Sequence, residues 1–178
     1  MKRIPFLLFI LVFIIFSCDK IEDANTIDFD TSISIDIPVA VLNPAALTTK
    51  SATADYSFSA SQTMKLSEIG EIGDYLNKLK SIDIENPEVT FSNLAEGEEI
   101  KTIEISVTGV GVLATFSNIT NANATHTPSI DNALLTQVAT ILYATKEVTV
   151  TVAGTTNTAP MDFTINMDFD VHIEAEVL

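Results

Sequence analysis

The stretch "MDFTINMDFDVHIEAEVL" at the C-terminus alternates without a break. Met161, Phe163, Ile165, Met167, Phe169, Val171, Ile173, Ala175 and Val177 take the odd positions, and only polar or charged residues fall between them. Successive side chains of a strand point to opposite faces, so this period of two predicts a strand with one buried and one wetted face. The run is far longer than an ordinary strand, which predicts a bend, a bulge or a crossing between two sheets. The segment "TIDFDTSISIDIPVAV" repeats the pattern through Ile27, Phe29, Ile33, Ile35, Ile37, Val39 and Val41. Between the two lie "ADYSFSASQTM", "SIDIENPEVTF", "IKTIEISVTG", "VGVLATFSNI" and "KEVTVTVAG", rich in Val, Ile and Thr, with turn chemistry in "AEGEE" and "AGTTNTAP". Alternation favours antiparallel sheets wetted on one side, because buried parallel strands read as continuous apolar runs.

Two segments change period. Ile69, Ile72, Leu76, Leu79 and Ile82 fall on one helical arc, weakened at its start by Gly70 and Gly73. Ile130, Leu134, Leu135, Val138, Ile141 and Leu142 form a second arc, with Thr127 placed to cap it and Pro128 at its first position. The pattern therefore predicts a mainly β fold: an antiparallel β-sandwich of about seven or eight strands, with two short amphipathic helices covering the core.

The N-terminus is of another kind. Lys2 and Arg3 precede a run from Ile4 to Phe16 that is apolar throughout apart from Pro5. At ~1.5 Å per residue it reaches roughly 20 Å, short of a ~30 Å hydrocarbon core but suited to the apolar part of a secretory signal. The chain's single cysteine, Cys18, stands directly after "IIFS". This order resembles a bacterial lipoprotein signal, although Ile15 and Phe16 occupy positions where Leu and Ala or Ser are commoner. The resemblance covers residues 1–23 and implies cleavage before Cys18 with acylation of its thiol. Two or three acyl chains hold where one does not, at ~0.8 kcal/mol per buried methylene. Residues 1–17 then read as signal peptide, 18–25 as lipidated cysteine and acidic tether, and 26–178 as one sandwich domain. Asp19 resembles an inner-membrane retention signal of some Gram-negative bacteria, whereas acidic residues in this place resemble a surface-export signal in another lineage. The departures at Ile15 and Phe16 favour the second, hence the outer membrane over the inner, with the periplasmic and surface faces both open.

Composition narrows the partners. Removing the first 17 residues of 178 leaves 161, enough for one domain with a full core. The formal charge is −15, and losing Lys2 and Arg3 takes it to −17, which opposes binding to nucleic acid. The remaining partners are the membrane, through the Cys18 anchor, and an envelope protein or glycan.

Candidate chemistry is sparse. "GVGVLA" (109–114) fits a dinucleotide fingerprint in letters, but "TFSNITNANATHT" follows where a helix is required, so a bulge where two strands meet is the better reading. Asp168 and Asp170 line the wetted face of the last strand with His172, Glu174 and Glu176. Neighbours on that face stand nearly 7 Å apart, which makes them weak metal candidates. Glu96, Glu98 and Glu99 in "EGEE" are equally weak candidates for calcium. "NIT" (118–120) and "NAT" (123–125) read as a polar loop. There are two histidines, no tryptophan and no G-x-S-x-G motif, so no catalytic residue, metal or cofactor is assigned. The leading expectation is a non-catalytic, membrane-anchored envelope binding or structural module. One alternative is a carrier of lipid or another apolar ligand in a tubular cavity lined by Phe163, Met167 and Phe169. A third is a carboxylate-dependent hydrolase, which requires two converging acids in a cleft.

Overall fold

The computed structural model describes residues 25–42, 55–121 and 123–177. Eight strands form two four-stranded antiparallel sheets: β1 (Thr26–Val41), β2 (Tyr56–Lys65), β3 (Leu79–Ser92), β4 (Ile100–Val107), β5 (Gly111–Ile119), β6 (Thr125–His126), β7 (Glu147–Thr156) and β8 (Met161–Glu176). The first sheet runs β1-β8-β3-β6 and the second β2-β7-β4-β5. They pack as a β-sandwich, as the alternation predicts.

Its core is the set of alternating apolar positions. Met161, Phe163, Ile165, Met167, Phe169, Val171, Ile173 and Ala175 of β8 are all buried, as are Ile33, Ile35, Ile37, Val39 and Val41 of β1. Facing them are Phe58 of β2, Val148, Val150 and Val152 of β7, and Ile100, Ile103, Ile105 and Val107 of β4. Phe58 meets Phe163 edge-on at 5.3 Å between ring centres, joining the two layers. Fully burying each such side chain stabilises the fold by roughly 1.5–3 kcal/mol before chain entropy is subtracted.

The irregularity expected of a long last strand lies elsewhere. β8 stays in one sheet and pairs with β1 from Thr26↔Glu176 to Val41↔Met161 with no register shift. The bulges fall in β3, between Leu79 and Ser81 and between Glu85 and Glu88. At the second, Asn86 is left-handed (φ 47°) and Pro87 follows. Both discourage a further strand from pairing along that edge.

One of the two expected helices is absent. Residues 66–68 and 70–75 form 3-10 turns, and Leu79 and Ile82 already belong to β3. Ile69, Ile72 and Tyr75 recur every third residue, the period of a 3-10 helix, while Gly70 and Gly73 deny an α-helix its start. The segment still covers the sandwich edge, with Ile72 buried and the Tyr75 ring packed at a tilt against Phe29 of β1, 5.2 Å between ring centres. The second helix exists as α1 (Asn132–Thr145), but its cap is Asp131, whose carboxylate accepts from Ala133 N–H at 2.9 Å, and not Thr127. Residues 127–131 are irregular instead, with Ile130 N–H donating to the Pro128 carbonyl at 3.1 Å. α1 buries Leu135, Val138, Ala139 and Leu142 against β3 and β7, closing one side of the sandwich. Its Tyr143 hydroxyl donates to the Leu79 carbonyl at 3.2 Å, satisfying part of the β3 edge that the two-residue β6 does not reach.

Candidate functional site

The outer faces of the two sheets differ in chemistry. On the second sheet, register places Ser57, Ser59, Ser61 and Thr63 of β2 beside Thr155, Ala153, Thr151 and Thr149 of β7. Thr102, Glu104 and Ser106 of β4 continue three of these rows. Hydroxyls bond across the rows, Thr63 to Thr149 at 2.7 Å and Thr102 to Thr155 at 2.9 Å. This face is polar and nearly uncharged.

On the first sheet the same period of two presents carboxylates. β8 runs along its middle, and register sets Asp28, Glu174 and Ser81 in one row and Asp30, His172 and Asp83 in the next. Then follow Ser32, Asp170 and Glu85, and after them Ser34, Asp168 and Glu88. Neutral amides bridge some of these acids: Asn86 Nδ2 donates to Asp170 at 2.9 Å, and Asn166 Nδ2 donates to Ser34 at 2.7 Å and to Asp36 at 2.9 Å. Lys80 reaches Glu176 at 4.0 Å on the rim.

His172 sits in the midst of this field. Its Nδ1 lies 2.7 Å from Asp30 Oδ1. That hydrogen bond raises the imidazole pKa above the usual 6.5, opposed by partial desolvation and reinforced by the charges of Asp30, Asp28 and Glu174. One ring nitrogen of His172 and one carboxylate oxygen each of Asp28 and Glu174 lie within 4.8 Å of one another.

Asp168 and Asp170 occupy the face on which they were expected, but spaced along the strand and outside this convergent group. The group that does converge includes Asp28, which the sequence reading did not single out. Only the antiparallel pairing of β1 with β8 brings it opposite Glu174. The matching alternation of the two segments was the signal that could have found it. Glu96, Glu98 and Glu99 lie in the β3–β4 turn, where a backbone donor already holds the carboxylate of Glu98. Glu98 accepts from Ala95 N–H at 2.7 Å, and Asn157 clamps the turn through Gly97 carbonyl and Glu99 N–H, each at 2.9 Å.

Phe163, Met167 and Phe169 point into the core and are 2%, 1% and 7% exposed. The interior void beside Phe169 measures about 20 Å³. A site for an acyl chain or similar ligand needs roughly 300 Å³ or more, so in this conformation the three side chains pack as core. The Gly109–Ala114 segment forms the β4–β5 hairpin turn and the start of β5, with Gly109 and Gly111 at φ 85° and 108°. Positive φ for a tight turn accounts for these glycines. Of the expected polar loop, Asn118 and Ile119 belong to β5 and Thr125 to β6; Asn118 and Asn123 are left-handed as well, and Asn123 N–H donates to Phe91 carbonyl at 2.6 Å. Cys18 lies outside the described residues.

Comparison with protein-family models gives no match for this chain, and a search of curated proteins gives none either.

Proposed function

We propose that the protein is a lipid-anchored, non-catalytic module of a bacterial envelope, held through acylated Cys18 and presenting its outer sheet faces to a partner. The observation that carries the reading is where the apolar surface goes. Within the sandwich the long apolar alternations turn inward. Among the described residues the large apolar side chains left exposed, Leu42, Val112, Tyr143 and Val177, are scattered over opposite ends of the first sheet, the β4–β5 hairpin and α1. None of these makes a membrane-binding patch, and no helix among the described residues is long and apolar enough to cross a membrane. The acylated Cys18, exposed once the Ile4–Phe16 signal run is removed, is then the chain's handle on the bilayer. The seven steps from Cys18 to Asn25 span at most roughly 25 Å, which keeps the Thr26–Glu176 end of the sandwich close to the anchoring membrane. The outer membrane is the favoured location, and a cationic envelope protein or glycan suits the acidic face.

Metabolic labelling with an alkyne fatty acid tests this, comparing wild type with Cys18→Ala. The reading expects label and membrane fractionation in wild type, with both lost in the variant. Equal labelling of the two, or a membrane-bound Cys18→Ala chain without acyl mass, overturns it.

A further inference from the structure

We propose that Asp28, His172 and Glu174 form a binding site for one divalent transition-metal ion of the zinc class, with Asp30 orienting the imidazole. Their three donor atoms already lie within 4.8 Å of one another. Ligands about 2.0–2.2 Å from a tetrahedral ion stand roughly 3.4 Å apart, so closing the set takes side-chain rotation of Asp28 and Glu174. The backbone needs no rearrangement, because Asp28 and Glu174 are direct partners in an unbroken antiparallel register and His172 is two residues along the same face.

The donor set selects the class of ion. One imidazole nitrogen with two carboxylate oxygens is a borderline nitrogen–oxygen set, suited to zinc and its neighbours; calcium and magnesium prefer oxygen alone. Two carboxylates balance the charge of a dication, and three protein ligands leave one position for water. Asp30 lies outside the ligand set yet holds Nδ1 of His172 at 2.7 Å. That contact engages Nδ1 and fixes the ring, so the proposed site assigns the metal to Nε2. A carboxylate behind a ligating histidine is the usual outer partner of such sites. The apo arrangement also carries an unresolved repulsion. Asp28 and Glu174 face each other across the two strands, and among the described residues neither makes an ion pair. Like charges directly opposite on a sheet are destabilising, and a bridging cation relieves them.

The test is calorimetric titration of zinc into the chelator-stripped, detergent-solubilised full chain, repeated for His172→Ala, Glu174→Gln, Asp30→Asn and Asp36→Asn. Calcium is titrated in parallel. The expected result is one zinc per chain. His172→Ala and Glu174→Gln should each weaken binding more than tenfold, Asp30→Asn by about tenfold through loss of the orienting contact, and Asp36→Asn, further along the face, should leave it unchanged. Circular dichroism of each variant checks that the fold is intact. The proposal is overturned by absence of saturable zinc binding, by equal affinity in wild type and His172→Ala, or by calcium binding as tightly as zinc. None of these outcomes depends on the anchor at Cys18, so this proposal and that of the envelope module fail separately.

Discussion

Gly154 offers the sharpest perturbation of the sandwich. It lies in β7 between Phe58 of β2 and Ile103 of β4. A Cβ built on it stands 2.0 Å from the Thr102 carbonyl oxygen, 2.8 Å from the Phe58 ring and 3.0 Å from Ile103 Cα. The Phe58 ring can turn aside, but the other two contacts are backbone. Even close carbon–oxygen contacts in sheets run to about 3.3 Å, so β4 must retreat from β7 by roughly an ångström or sever part of its ladder. The approach is close because β4 shifts register between Ile100 and Thr102, pushing its backbone toward the neighbour. Overpacking of this kind costs about 3 kcal/mol, the upper end of the usual range, because rigid main chain rather than side chain must give. For a domain of about 150 residues that lowers the melting temperature by about 6–12 °C. The assay is urea unfolding of the body from residue 19 onward, followed by far-UV circular dichroism, for Gly154→Ala beside Gly73→Ala. At Gly73 the nearest atom to an added Cβ is Ser67 oxygen at 4.0 Å, so that change should fall within about 1 kcal/mol of wild type and on the stabilising side. A Gly154→Ala protein as stable as wild type, with an unchanged denaturant slope, refutes the β4–β7 approach described here.

Three further outcomes follow from particular contacts. Asp131→Ala removes the oxygen that accepts from Ala133 N–H and should destabilise by about 1 kcal/mol, read as a lower urea midpoint, whereas Thr127→Ala should leave stability unchanged. Phe163→Ala opens a hole beneath Phe58 and should cost about 3–5 kcal/mol with no recovery on adding phospholipid; recovery by lipid would revive a carrier role for Phe163, Met167 and Phe169. In chelator-treated protein the His172 ring should titrate above 6.5, and Asp30→Asn should lower that midpoint, both measured by histidine proton resonances. Because the folded value is raised, the contact's contribution to stability is full below the unfolded pKa and fades as pH rises through the folded one. The ring is partly exposed, so the effect on the urea midpoint should be small, and an unshifted wild-type ring contradicts the Asp30 contact.

The fold was legible wherever local pattern and burial agree. The alternations at 26–41 and 161–176 became the two longest strands, because a strict period of two admits one buried face and register follows from it. It was misleading at 69–82, where a spacing of three served a 3-10 turn and then a strand, and at Thr127, where Asp131 four residues on made the cap instead. Gly154 stood where the strand reading "KEVTVTVAG" gave way to the turn reading "AGTTNTAP", yet β7 continues to Thr156, since its glycine answers a neighbouring backbone that no local pattern shows. The convergent group was half legible. His172 and Glu174 share a strand and could be paired by counting, but Asp28 is 144 positions before His172 and joins it only through register. The left-handed asparagines among the described residues, Asn86, Asn93, Asn118 and Asn123, show the same limit: the residue type permits the conformation without announcing where it is used.

Intact mass spectrometry of the protein purified from native membranes tests the account most directly. The account predicts a chain that begins at Cys18, lacks residues 1–17 and carries the added mass of two or three acyl chains on that residue. A chain that begins at Met1 with an unmodified thiol contradicts it.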